Sequence, residues 1–290
     1  MANLSTPISV SAALVTRNRP QSLERTLQSL RRQSLQPMEV IVSDDSDAQY
    51  ARDVERLAEA FGCRYIRGPH RGLYANRNHA ALVCHGTHIR TMDDDHEFPD
   101  AHFEKCFEAV ASDPDSIWIV GEHYPGQTEF GIPPPCPAQL VARGFSVDPP
   151  DSQNCWAISD GASIYPRSIF ERGIRYVESV KFGASYLEFG SRLRWLGYRI
   201  RQVLTTYVIH HYDPSARSFM EVDTELVSRF FAMLCHSWIY QPRLTNKTLS
   251  ILEMTKQIMH HRGVALRAID QAARLFRDHR RSLKQFSSAR

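Results

Sequence analysis

Short unbroken apolar runs alternate with helical stripes along residues 8–92. Ile8–Val15 reads as a buried strand that ends in the polar turn Thr16-Arg17-Asn18-Arg19-Pro20. Leu23, Leu27 and Leu30 then recur at helical spacing and predict a helix over 21–32. Met38–Ser43 is a second buried strand running into Asp44-Asp45-Ser46-Asp47. Val54, Leu57, Ala58 and Phe61 mark a second helix with Gly62 as its stop. Arg64–Ile66 is a short strand, 73–84 a helix entered from Gly72, and His88–Met92 a fourth strand. Strands alternating with helices in this way imply a parallel sheet covered on both faces. In such sheets ligands bind beyond the carboxyl ends of the strands. Arg17, Asp45 and Asp93 all lie just past predicted strand ends, so one cleft is expected to hold them.

The second half is less regular. Residues 123–154 carry Pro133-Pro134-Pro135, Pro137 and Pro149-Pro150 and predict a long irregular loop. Loops of that length tend to be lids or binding loops. Strands are expected at Trp156–Ile164, Arg199–Val203 and Tyr207–His210. A helical turn is expected at Arg167–Arg172 and a helix at Tyr186–Leu196, ending at Gly197. From Met220 onward the pattern is helical. The division is therefore an α/β domain over 1–215 and a helical C-terminal extension over 216–290. In that extension Leu266, Ile269, Ala273, Phe276 and Leu283 share one face, and Arg267, Arg274, Arg277, Arg281 and Lys284 cluster on another. A packed helix, a partner helix in a homodimer and peripheral contact with an anionic membrane surface all fit such a stripe.

Composition narrows the class. The chain has 290 residues, 42% of them hydrophobic, and a mean hydropathy of -0.38, enough for a sizeable core in a soluble protein. No apolar run approaches the roughly 18–20 residues of a membrane span. Residues 1–7 lack the basic and apolar regions of a signal peptide, so the cytoplasm, including the inner face of its membrane, is the expected location. Six scattered cysteines without a CxxC pair suggest neither a zinc site nor a disulfide framework. A net charge of +3 is too small to imply nucleic-acid binding.

The chemistry concentrates at Asp93-Asp94-Asp95, which close the fourth strand. Adjacent carboxylates repel and are costly there unless cations neutralise them. Oxygen-rich sites of this kind suit Mg²⁺ or Mn²⁺ with positions left for phosphates. A solvated acidic turn is the plainer alternative.

In order and spacing these motifs resemble family 2 glycosyltransferases with the GT-A fold, over about residues 8–215. Thr16-Arg17-Asn18-Arg19-Pro20 looks like the family's "TxNRP" turn. Glu39–Ser46 resembles its "EIIVVDDGS", whose aspartate bonds the nucleotide base, here Asp44 or Asp45. Gly72–Asn78 resembles "GxxxARN", with Arg77 facing the donor. Asp93-Asp94-Asp95 occupies the place of the metal-binding DxD, Gly161–Arg167 looks like the acceptor-side "GxxxxxRR", and His210-His211 resembles the late metal-binding histidine. The resemblance implies a mostly parallel sheet with helices on both faces, 1–100 the nucleotide half and 101–215 the acceptor half. It further implies a metal-dependent, mostly inverting transfer from a nucleotide-diphosphate sugar, UDP- or dTDP-linked, to an acceptor the sequence does not identify. Thr16, Arg17, Arg19, Asp44, Asp45, Arg77, Asp93 and Asp94 would meet the donor. Asp95, Asp93 and His210 would hold Mn²⁺ or Mg²⁺. Neighbours on a strand face opposite ways, so one of His210 and His211 should reach the metal, and alignment favours His210.

One segment departs from the family. Members carry Glu-Asp-x-Asp/Glu ahead of "LxxRLxxxGYRI", whereas this chain has Ser185-Tyr186 in place of the Glu-Asp pair and keeps only Glu188. Glu188 is the expected general base, with Asp160 and Glu178 behind it. The departure leaves two alternatives, a catalytically degenerate nucleotide-sugar-binding protein and a retaining transferase. Sugar nucleotidylyltransferases need a Gly-rich loop after the first strand, and residues 16–20 contain no glycine.

Overall fold

The computed structural model describes residues 7–126, 136–213 and 222–287. Within the polyproline stretch, Pro133-Pro134-Pro135 lies outside the described residues. The chain divides into two units whose segments interleave. The first comprises Met1–Cys136, Ser159–Arg175 and Arg201–Ala216; the second comprises Pro137–Ile158, Tyr176–Ile200 and Arg217–Arg290. The C-terminal helices are thus grouped with two earlier segments rather than forming a unit that begins at 216.

The first unit is built on β1 (Val10–Thr16), α1 (Pro20–Arg31), β2 (Glu39–Asp44), α2 (Ala48–Ala60), β3 (Arg64–Arg67), α3 (Leu73–Leu82) and β4 (His88–Asp93). It continues through β5 (His96–Glu97), α4 (His102–Ser112), β6 (Ile117–His123), β9 (Ser163–Pro166), α5 (Ser168–Glu171) and β10 (Ile200–His210). The strands form one sheet in the order β3-β2-β1-β4-β9-β6-β10-β5. Strands β3, β2, β1 and β4 run parallel, as the alternating pattern predicts, while β9 is antiparallel to both of its neighbours. Every residue of β1 is buried, which is why that run has no polar alternation. Pro20 opens α1 at a position where its missing N–H costs nothing. Leu23, Leu27 and Leu30 pack beneath the sheet with Val42, Met92 and Phe103. Each such aliphatic burial contributes about 1.5–3 kcal/mol.

Two stretches differ from the sequence pattern. The strand expected at Trp156–Ile164 is confined to Ser163–Pro166, because Gly161 turns the chain with φ +68° just before it. The two strands expected at 199–203 and 207–210 are one continuous strand, β10, passing through exposed Leu204 and Thr205. Helix α4 and strand β6 belong to the sheet architecture but carry none of the motifs singled out above.

In the second unit, β7 (Gln139–Leu140) and β8 (Ser146–Val147) form a small hairpin inside the proline-rich stretch. Helix α6 (Ser185–Trp195) packs against α7 (Val222–Cys235). A π-helical turn, His236–Tyr240, leads towards α8 (Leu244–Ser282), which kinks at Arg262, and to the short α9 (Lys284–Ser287). Phe230, Phe231 and Met233 of α7 meet Ala265, Ala268 and Ala272 of α8 in the core. The packed stripe of α8 therefore runs through alanines, and Leu266, expected on that face, is exposed. Gly190 lets α6 approach the preceding chain closely, since a Cβ there would lie 2.5 Å from the Ile158 nitrogen.

Candidate active site

Parallel register gathers the carboxyl ends of three strands. Thr16 of β1 pairs with Asp44 of β2, and Val15 pairs with Asp93 of β4. The aspartate triplet then offsets its own repulsion by pairing every carboxylate with a cation, Arg77 for Asp93 and Arg19 for both Asp94 and Asp95. Asp93 binds Arg77 at 3.0 Å. Asp94 is held in the fork of Arg19, with Nε 3.2 Å from Oδ2, and accepts the Thr16 hydroxyl at 2.6 Å. Asp95 meets Arg19 Nη1 at 3.0 Å and lies 3.6 Å from His210 Nε2. Thr26 of α1 clamps the turn by donating to the carbonyls of Asp94 and His96. Asp94, expected to face the donor, is instead completely buried with both oxygens engaged, and it anchors the start of α1.

Arg77 is buried on α3. Asn76 beside it is locked to β2, accepting from the Ser43 hydroxyl at 2.6 Å and donating to the Ser43 carbonyl at 3.0 Å. From that position the Arg77 guanidinium is shared between Asp93, at 2.9 Å, and Asp160, at 2.8 Å. Burial, together with the nearby charges of Asp93 and Glu122, pushes Asp160 up despite Arg77. Gly161 completes this corner, where a Cβ would sit 2.2 Å from Asp93 Oδ2.

Antiparallel pairing of β5 and β10 sets His210 opposite His96, and the His211 N–H donates to the Asp95 carbonyl at 2.8 Å. His210 Nδ1 bonds Glu122 Oε2 at 2.9 Å. His211 turns to Glu97, at 2.8 Å, so it is His210 that stands beside the aspartates. Burial pulls His210 down, but its bonds to Asp95 and Glu122 outweigh that and lift it to about 10. Asp95 is held well below the usual carboxylate range, its own burial overcome by His210, His96 and Arg19. His96 is fully buried, and neither ring nitrogen has a hydrogen-bond partner among the described residues. Asp95, His96 and His210 offer one ligand atom each, all within 4.8 Å of one another. Two imidazoles and a carboxylate, with orphaned buried nitrogens, fit a transition-type divalent cation better than Mg²⁺. Nothing in the sequence pattern alone marks Glu122 or His96 as site residues. Glu122 lies in no motif, and His96 follows the triplet directly but faces His210 only through strand pairing.

At the far end of the sheet Asp44 is also engaged within the protein. Its Oδ2 accepts from Tyr65 at 3.0 Å and Arg67 at 2.7 Å, and its Oδ1 from the Ser46 N–H. Asp45 uses Oδ1 to accept the His70 N–H at 2.9 Å. Arg17 is more exposed, 3.9 Å from Asp47. Arg19 also lines a cleft of about 630 Å³, together with Asn18, Arg25, Tyr124, His211 and Tyr212 among others.

Glu188 belongs to the second unit and is fully buried there. Its Oε1 accepts from the Tyr240 hydroxyl, lies 3.0 Å from His279 Nε2 and 3.3 Å from Arg192 Nε. Such a carboxylate ties α6 to the π-helical turn and to α8. Its enclosure is the opposite of what an acceptor-facing base requires.

Residues 11–174 match the model of glycosyl transferase family 2. No curated protein sequence matches the chain. Among solved structures, S. aureus TarS 1-349 in complex with UDP-GlcNAc is similar with TM-score 0.60 and 14% identity, covering 87% of this chain and 73% of that one. GalNAc-T7 with UDP, GalNAc and Mn²⁺ is similar with TM-score 0.63 and 15% identity, covering 90% of this chain and 59% of that one. At these identities the likeness is one of fold, the GT-A fold. The family match spans more than half of the sequence, and the chain belongs to glycosyl transferase family 2.

Proposed function

We propose that the chain moves a sugar from a UDP-linked donor to an acceptor hydroxyl with the help of a divalent cation, Mn²⁺ in the first instance. The observation that carries this reading is the pairing of Asp95 with His210, whose second nitrogen is fixed by Glu122. Orienting carboxylates of that kind accompany metal-bound histidines. Asp95, His210 and His96 would hold the ion, and Asp93 stands beside them as part of the same charged cluster. When bound, the cation would neutralise charge on the departing diphosphate. The solved structures of similar fold with UDP-GlcNAc, or with UDP and Mn²⁺, support the donor and metal classes.

The chain's own residues then take separate parts. Asp45, with one oxygen on His70 and the other at the strand end, reads the N3–H of the pyrimidine base, which uracil and thymine share. Thr16 and Arg17 line the path to the phosphates. Arg77 holds Asp93 and Asp160 in place at the sugar end. The acceptor oxygen attacks the anomeric carbon as the bond to the diphosphate breaks, and Asp160 receives the acceptor proton. Its raised pKa suits it to do so near neutral pH. A single displacement of this kind inverts the anomeric centre. Retention is the second reading, favoured by Ser185-Tyr186 where the family's acidic pair stands.

Thermal shift with Mn²⁺ and a panel of nucleotides tests the donor class, because specific binding stabilises by mass action. UDP and UDP-sugars should raise the melting temperature only with metal. A panel in which neither UDP nor dTDP does so rejects the proposal. The anomeric configuration of the product separates inversion from retention.

A further inference from the structure

We propose that the outer face of the first half of α8 is a docking surface for an anionic lipid bilayer. Helix α8 buries Ser250, Glu253 and Gln257 on its inner side. At 3.6 residues per turn the opposite side is formed by Leu244, Ile251, Leu252 and Met259, with Thr248 and Thr255 between them. These four large apolar side chains are 80%, 50%, 58% and 69% exposed, on the face where a helix docked on its own domain carries polar residues. Trp238, also exposed, sits just before the helix with Lys247 Nζ 4.9 Å from its ring centroid.

Charge identifies the occupant. Lys247 flanks the apolar strip on one side and Lys256 on the other. The segment's only carboxylate, Glu253, is turned inward and consumed by Arg229 at 2.8 Å and Gln257 at 2.9 Å. An apolar strip bordered by cations alone, with an aromatic at its end, is the pattern of a helix lying in the headgroup layer of an anionic membrane. A second copy of the chain is a poorer partner, since pairing this face with itself would gather lysines from both copies with no outward carboxylate of the segment to offset them. A long coiled coil is also ruled out by the kink at Arg262, where φ is +39° between Met259 and Leu266. Among the described residues no helix is long and apolar enough to cross a membrane, so the contact is peripheral.

Co-sedimentation of the full chain with vesicles tests this, using equal parts phosphatidylcholine and phosphatidylglycerol against phosphatidylcholine alone. Binding is expected to the mixed vesicles, to weaken with salt and to be slight on the neutral ones. Leu252→Glu with Met259→Glu should lower the partition coefficient about tenfold or more. Lys247→Glu and Lys256→Glu should each lower it about fivefold. All four side chains are on the outer face, so melting temperature should hold in the variants. Absence of binding to the mixed vesicles overturns the proposal, as does binding that survives both pairs of substitutions. So does a dimer on sizing that the Leu252→Glu, Met259→Glu variant splits into monomers, which would assign the face to a second copy.

Discussion

Asp95 and His210 face each other with Oδ2 and Nε2 3.6 Å apart, although 115 positions separate them in the chain. Strand pairing makes the meeting obligatory, because β10 reaches β5 with His210 in register with His96. Glu122 holds the other nitrogen of His210 at 2.9 Å and so fixes which way the ring presents itself. Glu122→Gln is therefore expected to weaken Mn²⁺ binding about 10–100-fold, the usual cost of losing an orienting partner. His210→Ala and Asp95→Ala should abolish it. Calorimetric titration with Mn²⁺ alone reads this without a donor. Unchanged affinity in Glu122→Gln would show that the carboxylate has no part in the site.

Arg77 serves two carboxylates with one guanidinium, at 2.9 Å from Asp93 and 2.8 Å from Asp160. Arg77→Met keeps the apolar stem but leaves two half-buried carboxyl groups facing each other without the buried cation that they share. Breaking a buried pair in this way costs on the order of 3–5 kcal/mol. Urea denaturation should show that loss, and Asp160→Asn added to Arg77→Met should recover part of it. A double variant no more stable than the single one would mean that Asp160 contributes nothing to the corner.

Gly161 sits where both backbone and space demand glycine. Its φ is +68°, and a Cβ would lie 2.2 Å from Asp93 Oδ2. Gly161→Ala must strain the turn, at about 1–3 kcal/mol, and must also push Asp93 off Arg77. Turnover should fall more than stability does. A variant with full turnover would place the Asp93–Arg77 contact outside the reaction.

The run from β1 to β4 was legible because its strands are solid apolar blocks and its helices carry leucine stripes. The triplet was legible because three adjacent carboxylates have no cheap place at a strand end. The identity of their cations was not. Arg19 and Arg77 read from sequence as phosphate ligands, and only the fold turns them towards Asp94 and Asp93. Helix α4 was obscured by its buried stripe of His102, Phe103, Cys106 and Val110, which counts a histidine among its core positions. That histidine is satisfied by Arg90 and Thr206, partners brought by the sheet. Glu122 follows the plain apolar run Ile117–Val120 and gains meaning only because β6 lies next to β10. Glu188 is the reverse case. Its position at a helix start invited a catalytic reading, whereas its partners Tyr240 and His279 come from segments 52 and 91 residues further on.

Those partners make Glu188 a pH-dependent strut. Burial favours its neutral form, but Arg192, His279 and Tyr240 overcome this and bring the carboxyl down to about 2. In the unfolded chain it titrates near the ordinary glutamate value of about 4.3. A folded pKa below the unfolded one means stability that is present above the unfolded value and is lost as pH falls through the folded one. The window is therefore about pH 4–5 down to about 2, and the amount at neutral pH is roughly 3 kcal/mol. Glu188→Gln lacks this contribution. Unfolding free energies of the two proteins should differ most near neutrality and converge as pH falls through the window. A gap that stays constant would show that the carboxylate is not held in its charged form by these partners. The same variant also distinguishes a strut from a general base. At a temperature where it remains folded, turnover should be nearly retained if Glu188 only supports α6 and α8. A fall of about 10²–10⁴-fold would instead restore Glu188 to the reaction.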